Sequence, residues 1–243
     1  MSIKEFSEIA TAKSMQLIAR VMAAGRVRTV ATGIEYIPAS GPALLVSRHY
    51  HHLYDGLAFF AALTRPFHIL VALDWTPNVY ERRAMEWLTG IARWPVVLRP
   101  EALMNSPDDG QLQAQPMFSV ADIDRYRRRA LRESIELLVS GQLLVVFPEG
   151  HPNIDPHRAA RKPPKELLPF KAGFAAIAAA AEKRLHARLP IIPAGLHYTK
   201  SQPCIAELNF GATVWLKDFP CRSLLVRDLE ERIANLSGLP AWK

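Results

Sequence analysis

Residues 43–60 read ALLVSRHYHHLYDGLAFF, which is a short apolar run, a polar break and a second apolar segment with helical spacing. The first run is typical of a buried strand, and the segment after the break is typical of a helix. One aspartate and three histidines lie in the break: Asp55, His49, His51 and His52. Because rigid elements hold such a loop on both sides, α/β proteins often place reactive side chains there. A histidine close to an aspartate can be a general base whose tautomer the carboxylate fixes.

A second polar motif follows another strand-like run later in the chain. The apolar run Leu143–Val146 ends in the turn Phe147-Pro148-Glu149-Gly150. Two polar motifs, each at the end of an apolar run, favour a functional site over a pair of unrelated surface loops.

Composition limits the class of protein. The chain has 243 residues, 49% of them hydrophobic and 22% charged, which is typical of a globular domain with a sizeable core. The net charge of +7 favours an anionic partner: a nucleic acid, an acidic membrane surface or a phosphorylated substrate. The cysteines, Cys204 and Cys221, are not in a metal-ligand spacing and are expected to be reduced thiols.

The N-terminal residues 2–24 have the spacing of an amphipathic helix, with basic side chains among the apolar ones. Such a helix can lie in a lipid interface, and the alternative is a terminal helix packed on its own domain. No apolar run reaches the ~18 residues of a membrane span, and acidic residues interrupt any secretory signal. We therefore divide the chain into a helical segment, 1–28, and a domain, 29–243. We expect a cytoplasmic protein that lies peripherally on the inner face of the membrane.

Further elements alternate along the chain. Strands are predicted at 68–73, 95–98, 143–147 and 190–198, with an outer strand at 206–216. Helices are predicted at 56–63, 80–88, 122–139, 171–183 and 222–236, and polar loops at 101–121 and 151–169. This alternation predicts a single α/β domain in which helices cover both faces of a sheet.

Four blocks of this sequence, in order, resemble the glycerolipid acyltransferase family, which lysophosphatidic acid acyltransferase typifies. They are residues 33–55, residues 90–99 (GIARWPVVLR), the turn 147–150 and residues 190–196. The resemblance implies a mixed sheet flanked by helices. It also implies an acyltransferase that moves a fatty acyl group from acyl-CoA or acyl-carrier protein to a hydroxyl of a lysophospholipid or glycerol-phosphate-type acceptor. No metal or further cofactor is implied.

The same resemblance assigns roles to individual residues. A histidine base takes the proton of the acceptor hydroxyl, which attacks the donor thioester, while Asp55 holds the imidazole. Arg99 contacts the phosphate of the acceptor, which suits a guanidinium fork. Glu149 and Gly150 hold the acceptor near the base.

The sequence departs from the family pattern in two places. The family places four residues between its histidine and its aspartate, whereas here five separate His49 from Asp55, three separate His51 and two separate His52. We predict His49 as the base. The family has an asparagine directly before its histidine, and Arg48 takes that position here. His51, His52 or a cooperative pair of histidines stay open as alternatives. After Gly150 the family often supplies a further arginine, where this chain has His151-Pro152-Asn153.

Three rival interpretations remain from the sequence. A metal-dependent hydrolase is suggested by His49-x-His51, with His197 as a distant ligand, although the full hydrolase motif is absent. An inactive acyltransferase-fold protein at the membrane is suggested by the altered spacing. Nucleic-acid binding is suggested only by charge, lacks a recognised motif and is not expected.

Overall fold

The computed structural model describes residues 27–74, 76, 79–99, 118–154, 166–199 and 204–239, together with Ser14, Leu17 and Val21. These three isolated positions are helical and exposed. The predicted amphipathic helix as a whole, most of the predicted loop 101–121 and the basic part of the loop 151–169 lie outside the described residues.

The described chain forms a mixed six-stranded sheet, a separate two-stranded sheet and surrounding helices. The strands are β1 (Val27–Thr32), β2 (Ala43–Ser47), β3 (Phe67–Ile69), β4 (Val71–Ala72), β5 (Val96–Val97), β6 (Leu143–Val146), β7 (Ile191–Thr199) and β8 (Cys204–Phe210). The α-helices are α1 (Tyr54–Ala62), α2 (Val79–Ala92), α3 (Val120–Val139), α4 (Gly173–Leu185) and α5 (Arg222–Leu236). Short 3₁₀ helices lie at Ile34–Tyr36 and Leu216–Asp218.

The large sheet has the order β1-β8-β7-β2-β6-β3, in which only β7 and β8 pair antiparallel. Strands β2 and β6 are adjacent and parallel, with Val46 opposite Val146. Parallel neighbours end at the same edge of a sheet, so the two polar motifs that follow β2 and β6 meet there. This pairing is what positions the site.

Helices cover both faces of the sheet, as the sequence predicts. Successive side chains of a strand point to opposite faces. On β2, Leu44 and Val46 pack in the core that contains buried side chains of α3, α4 and α5. Ala43 and Leu45 pack in the other core, with α1. On α4, small side chains let the helix lie close to the sheet: Ala175, Ala178 and Ala181 are fully buried.

Two predictions about strands are wrong. The single strand predicted at 68–73 is divided, because Leu70 donates its N–H to Val145 of β6 whereas Val71 donates to Pro95, next to β5. The strand predicted as an outer one is β8, which lies inside the sheet between β1 and β7 and ends at Phe210. Its polar and apolar residues alternate because one of its faces is only partly covered.

The edge strand β1 was not predicted. It starts at Val27, so the last two residues of the predicted N-terminal segment form its beginning. Its sequence, VRTVAT, is short and partly exposed, which leaves little apolar pattern to read.

Within the described part of the chain, no helix combines the length and the apolar character that crossing a membrane requires.

Candidate active site

His49 and Asp55 form the centre of the site. His49 lies two residues beyond β2, and Asp55 lies in the first turn of α1. The His49 Nδ1 atom is 2.7 Å from Asp55 Oδ2. The Asp55 side chain is fully buried, whereas 18% of the His49 side chain is exposed. With Nδ1 facing the carboxylate, the lone pair of Nε2 is the one that can accept a proton from a substrate.

The extra residue between His49 and Asp55 does not separate them, because the loop folds around the carboxylate. The backbone N–H of Tyr50 donates to Asp55 Oδ2 at 2.7 Å, and the N–H of His51 donates to the same oxygen at 3.0 Å. The Tyr198 hydroxyl, from β7, donates to Asp55 Oδ1 at 2.7 Å. These donors stabilise a buried negative charge and fix its orientation toward His49.

Tyr198 is a site residue that the sequence analysis missed. Burial, followed by the charge of Asp55, raises its pKa well above the ordinary value, so the hydroxyl keeps its proton and stays a donor. Its position at the end of the predicted strand 190–198, two residues beyond the fourth family-like block, is the signal that could have pointed to it.

His51 and His52 have other surroundings. His51 Nδ1 accepts hydrogen bonds from the backbone N–H groups of Leu53 at 3.2 Å and Tyr54 at 3.3 Å, and so satisfies donors at the start of α1. Its ring stacks on Tyr54 and on the exposed His52. Burial, then the proximity of His52, lowers the pKa of His51, which keeps the acceptor nitrogen unprotonated. The geometry therefore favours His49 over these two as the partner of Asp55.

Glu149 connects the second motif to His49. Its Oε1 accepts the backbone N–H of His49 at 2.6 Å, and its Oε2 accepts the N–H of Leu168 at 2.8 Å. The residue is 2% exposed. Burial raises the pKa of Glu149 to about 7, although both N–H donors and the nearby Arg48 favour its charged form. Phe147 of the same motif stacks on the His49 ring, with centroids 4.5 Å apart.

Gly150 closes the turn with a φ of +73°, a conformation that favours glycine. A Cβ at this position would lie 3.2 Å from Nζ of Lys171. The carbonyl of Gly150 accepts a hydrogen bond of 2.7 Å from Nη1 of Arg99. The turn is thus held from one side by Arg99 and lies against Lys171 on another.

Arg99 is nearly buried and contacts three protein groups. Its Nε donates to both carboxylate oxygens of Asp74 at 2.8 Å, and its Nη2 is 2.7 Å from Oδ2. Its Nη1 contacts Nδ1 of His151 as well as the Gly150 carbonyl. The structure therefore brings Arg99 to the second motif, as the sequence predicts, while contact with a substrate phosphate stays a prediction. Asp74 and His151 were not predicted; each directly follows a recognised strand or motif.

Arg48 lies beneath the site with 1% of its surface exposed. Its Nη1 donates to the carbonyl of Leu196 at 3.3 Å, and its guanidinium lies 4.8 Å from the centre of the Tyr50 ring. Burial lowers its pKa, while the charges of Glu149 and Asp55 oppose that shift. Arg48 thus places a buried positive charge near the buried carboxyl groups of Glu149 and Asp55.

The structure thus brings a His–Asp pair at the end of one parallel strand to a Phe-Pro-Glu-Gly turn at the end of the next, which is the arrangement that the resemblance to acyltransferases predicts. The family model described as Acyltransferase matches residues 28–197, so the chain belongs to the acyltransferase family. This confirms the family, the fold class and the type of enzyme predicted from the sequence.

A solved structure has a similar fold. The chain is similar to PlsC, the 1-acyl-sn-glycerophosphate (LPA) acyltransferase of Thermotoga maritima, with a TM-score of 0.59 and 19% identity. The match covers 98% of this chain and 83% of PlsC. At this identity the likeness shows the fold. No curated protein matches the chain.

The rival hydrolase would need a set of metal ligands. Within the described ranges, no group of three or more His, Cys, Asp or Glu side chains is arranged to hold a metal ion.

Proposed function

We propose that the protein transfers a fatty acyl group from acyl-CoA or acyl-carrier protein to a hydroxyl of a lysophospholipid or glycerol-phosphate-type acceptor, as a step of phospholipid biosynthesis. The observation that carries this proposal is the contact of 2.7 Å between His49 Nδ1 and the buried carboxylate of Asp55. It leaves His49 Nε2 as the base, on a side chain that is not fully buried.

The reaction follows from that base. His49 Nε2 takes the proton of the acceptor hydroxyl as its oxygen attacks the carbonyl carbon of the donor thioester. The tetrahedral intermediate then expels the thiolate, which receives the proton from the imidazolium. Asp55 stabilises the imidazolium and holds its tautomer, and no acyl-enzyme is required. General-base assistance of this kind contributes about 10²–10⁴ in rate.

The second motif serves the acceptor side in this proposal. Glu149 fixes the backbone of His49 through its N–H, and the family resemblance assigns Glu149 and Gly150 to holding the acceptor near the base. The family resemblance assigns Arg99 to the acceptor phosphate. Its contacts with Asp74 and Gly150 support a second role, in which it holds the turn.

The acceptor class also implies a place of action. Lysophospholipids reside in bilayers, so we propose that the protein works peripherally on the inner, cytoplasmic face of a membrane. The partners in this proposal are the acyl donor, the lysolipid and an anionic membrane surface.

The direct test uses the purified protein with labelled acyl-CoA and labelled acyl-carrier protein, each offered with glycerol 3-phosphate and a panel of lysophospholipids. The labelled product identifies the donor and the acceptor, and His49→Ala serves as the inactive control. Transfer by the wild-type protein that is lost in the variant supports the proposal. No transfer with any pair would instead support an inactive member of the family.

A further inference from the structure

The outer face of α2 carries large apolar side chains that are exposed. The exposed fractions are 80% for Tyr80, 67% for Trp87, 50% for Leu88 and 48% for Ile91. Residues separated by seven, eight and eleven positions lie on one side of an α-helix. The four side chains therefore lie on one side of the helix, with Tyr80 about two turns before Trp87, and we call this set the α2 stripe. None of them contributes to the His49 site.

The opposite side of α2 fixes the helix to the domain. Thr89 and Ala92 are buried, and Glu86 accepts a hydrogen bond from the hydroxyl of Tyr126 on α3. The α2 stripe is therefore presented outward by a helix that is packed along its other side.

The chemistry of the α2 stripe fits the boundary between lipid and water. Tyrosine and tryptophan combine an apolar ring with a polar group and concentrate at membrane interfaces. Arg83 is exposed at one margin of the stripe and Glu81 at the other. The chain as a whole carries a net charge of +7, which favours an anionic surface.

The position of α2 relates the stripe to the site. The helix connects β4 to β5, and Asp74 and Arg99 each lie two residues beyond those strands. The N-terminal end of α2, with Tyr80, therefore lies toward the edge of the sheet at which the site is built. A membrane that contacts the stripe at Tyr80 is therefore on the side of the domain where the site is built.

We infer that the α2 stripe is the surface by which the protein docks on an anionic phospholipid bilayer. The inference rests on the proposed function for the choice of a bilayer as the binding partner, because a lipid acceptor requires the enzyme to work at a bilayer. Tyr80, Trp87, Leu88 and Ile91 enter the interface, and Arg83 contacts the anionic headgroups. This surface is formed by other residues than those of the predicted N-terminal helix, whose membrane contact stays a prediction.

The test measures binding and needs no enzymatic turnover. Sedimentation with vesicles of equimolar phosphatidylcholine and phosphatidylglycerol, free of acyl donor and acceptor, gives the partition coefficient of the full chain. The double variant Trp87→Ser, Leu88→Ser should lower this coefficient about tenfold or more, the equivalent of about 1.4 kcal/mol. The matched control is Leu224→Ser on α5, where Leu224 is 45% exposed, and it should leave the coefficient unchanged.

A second measurement does not depend on the stability of the double variant. Vesicles with brominated acyl chains should quench the tryptophan fluorescence of the wild-type protein. Trp87→Phe, which keeps an apolar ring, should remove most of that quenching while binding persists. Equal quenching in both proteins would show that Trp87 lies outside the bilayer and would overturn the inference.

Other partners that could cover the α2 stripe would give different results. If a second copy of the chain covers it, the double variant changes the mass measured by analytical ultracentrifugation without lipid. If the N-terminal residues of the same chain cover it, the double variant lowers the Tm far more than Leu224→Ser does. Either result, with unchanged vesicle binding, would overturn the inference. Binding that depends on α2 without any acyl transfer would keep the docking surface and remove only the proposed function.

Discussion

The guanidinium of Arg99 and the carboxylate of Asp74 form a two-point ion pair, with Nε 2.8 Å and Nη2 2.7 Å from Oδ2. The Asp74 side chain is fully buried, and 8% of the Arg99 side chain is exposed. Asp74 thereby neutralises much of the Arg99 charge and fixes the guanidinium against the Gly150 carbonyl. An arginine held in this way supports a turn, whereas a residue that only captures phosphate does not need the buried partner.

The first prediction separates these two roles of Arg99. Asp74→Asn keeps the size of the side chain, removes its charge and loosens the hold on Arg99. If Arg99 supports the turn, steady-state kinetics should show a lower kcat with little change in the KM of the acceptor. The same pattern is expected for Arg99→Gln. A raised acceptor KM at unchanged kcat for Arg99→Gln would instead assign the phosphate contact that the family resemblance implies.

Folding must be checked in these variants, since removing one partner of a buried ion pair can cost about 3–5 kcal/mol of stability. The double variant Asp74→Asn, Arg99→Gln leaves no uncompensated charge and serves as the control. Kinetics should therefore be measured at a temperature well below the Tm of each variant.

The second prediction concerns the identity of the base. His49→Ala should lower kcat by about 10²–10⁴, because general-base assistance is lost, with little effect on the free energy of unfolding. His51→Ala should keep most of the activity and lower the stability by about 1 kcal/mol, because two N–H groups at the start of α1 lose their acceptor. Turnover assays and urea titrations on both variants measure this. Loss of activity in His51→Ala alone would make His51 the base.

The third prediction concerns Tyr198. Tyr198→Phe removes one hydrogen bond to Asp55 and keeps the ring that stacks on Tyr50 at 5.0 Å. We expect kcat to fall about tenfold to a hundredfold, since a hydrogen bond to a charged group is worth about 1.5–3 kcal/mol and 1.36 kcal/mol is tenfold in rate. Asp55→Asn should lose more, because an amide can hold the wrong tautomer of His49. A Tyr198→Phe variant with full activity would show that the hydroxyl does not help to position Asp55.

Local signals were sufficient for the central strands and for the last helix. The runs of β2 and β6 are continuously apolar because both of their faces are covered, and α5 has the predicted bounds, Arg222–Leu236. Such local signals do not determine the order of the strands in the sheet. Pairing of β1 with β8 depends on residues far apart in the chain, so the place of β8 inside the sheet could not be read from its own alternation.

The same distinction applies to the site. The motifs pointed to His49, Asp55 and Glu149, which the structure brings together. Their functional roles stay predictions. Tyr198 and Asp74 have partners 143 and 25 residues away in the sequence, so only their positions at the ends of predicted strands could have pointed to them. The contacts of His51 with the start of α1 could be recognised only when the loop was seen to fold around Asp55.

The last prediction concerns pH and stability. Burial raises the pKa of Glu149 to about 7 from an ordinary 4.5, so the folded protein keeps a proton on Glu149 that the unfolded chain has lost. Between these two values the folded state binds more protons than the unfolded state. The free energy of unfolding must therefore fall as the pH rises through this window and level off above the folded pKa. At 1.36 kcal/mol for each pH unit, the free energy of unfolding falls by about 3 kcal/mol between the unfolded and the folded pKa of Glu149.

Urea unfolding of the wild-type protein and of Glu149→Gln tests this, because glutamine has no proton to lose. Between about pH 5 and pH 8 the wild-type protein should lose stability relative to the variant, and the difference should change little above pH 8. Other groups titrate in both proteins and cancel in the difference. The Glu149→Gln variant is expected to be less stable in absolute terms at low pH, since its amide can accept only one of the N–H groups of His49 and Leu168. An identical pH dependence in both proteins would mean that Glu149 is ionised in the folded state, with its charge held by those donors and by Arg48.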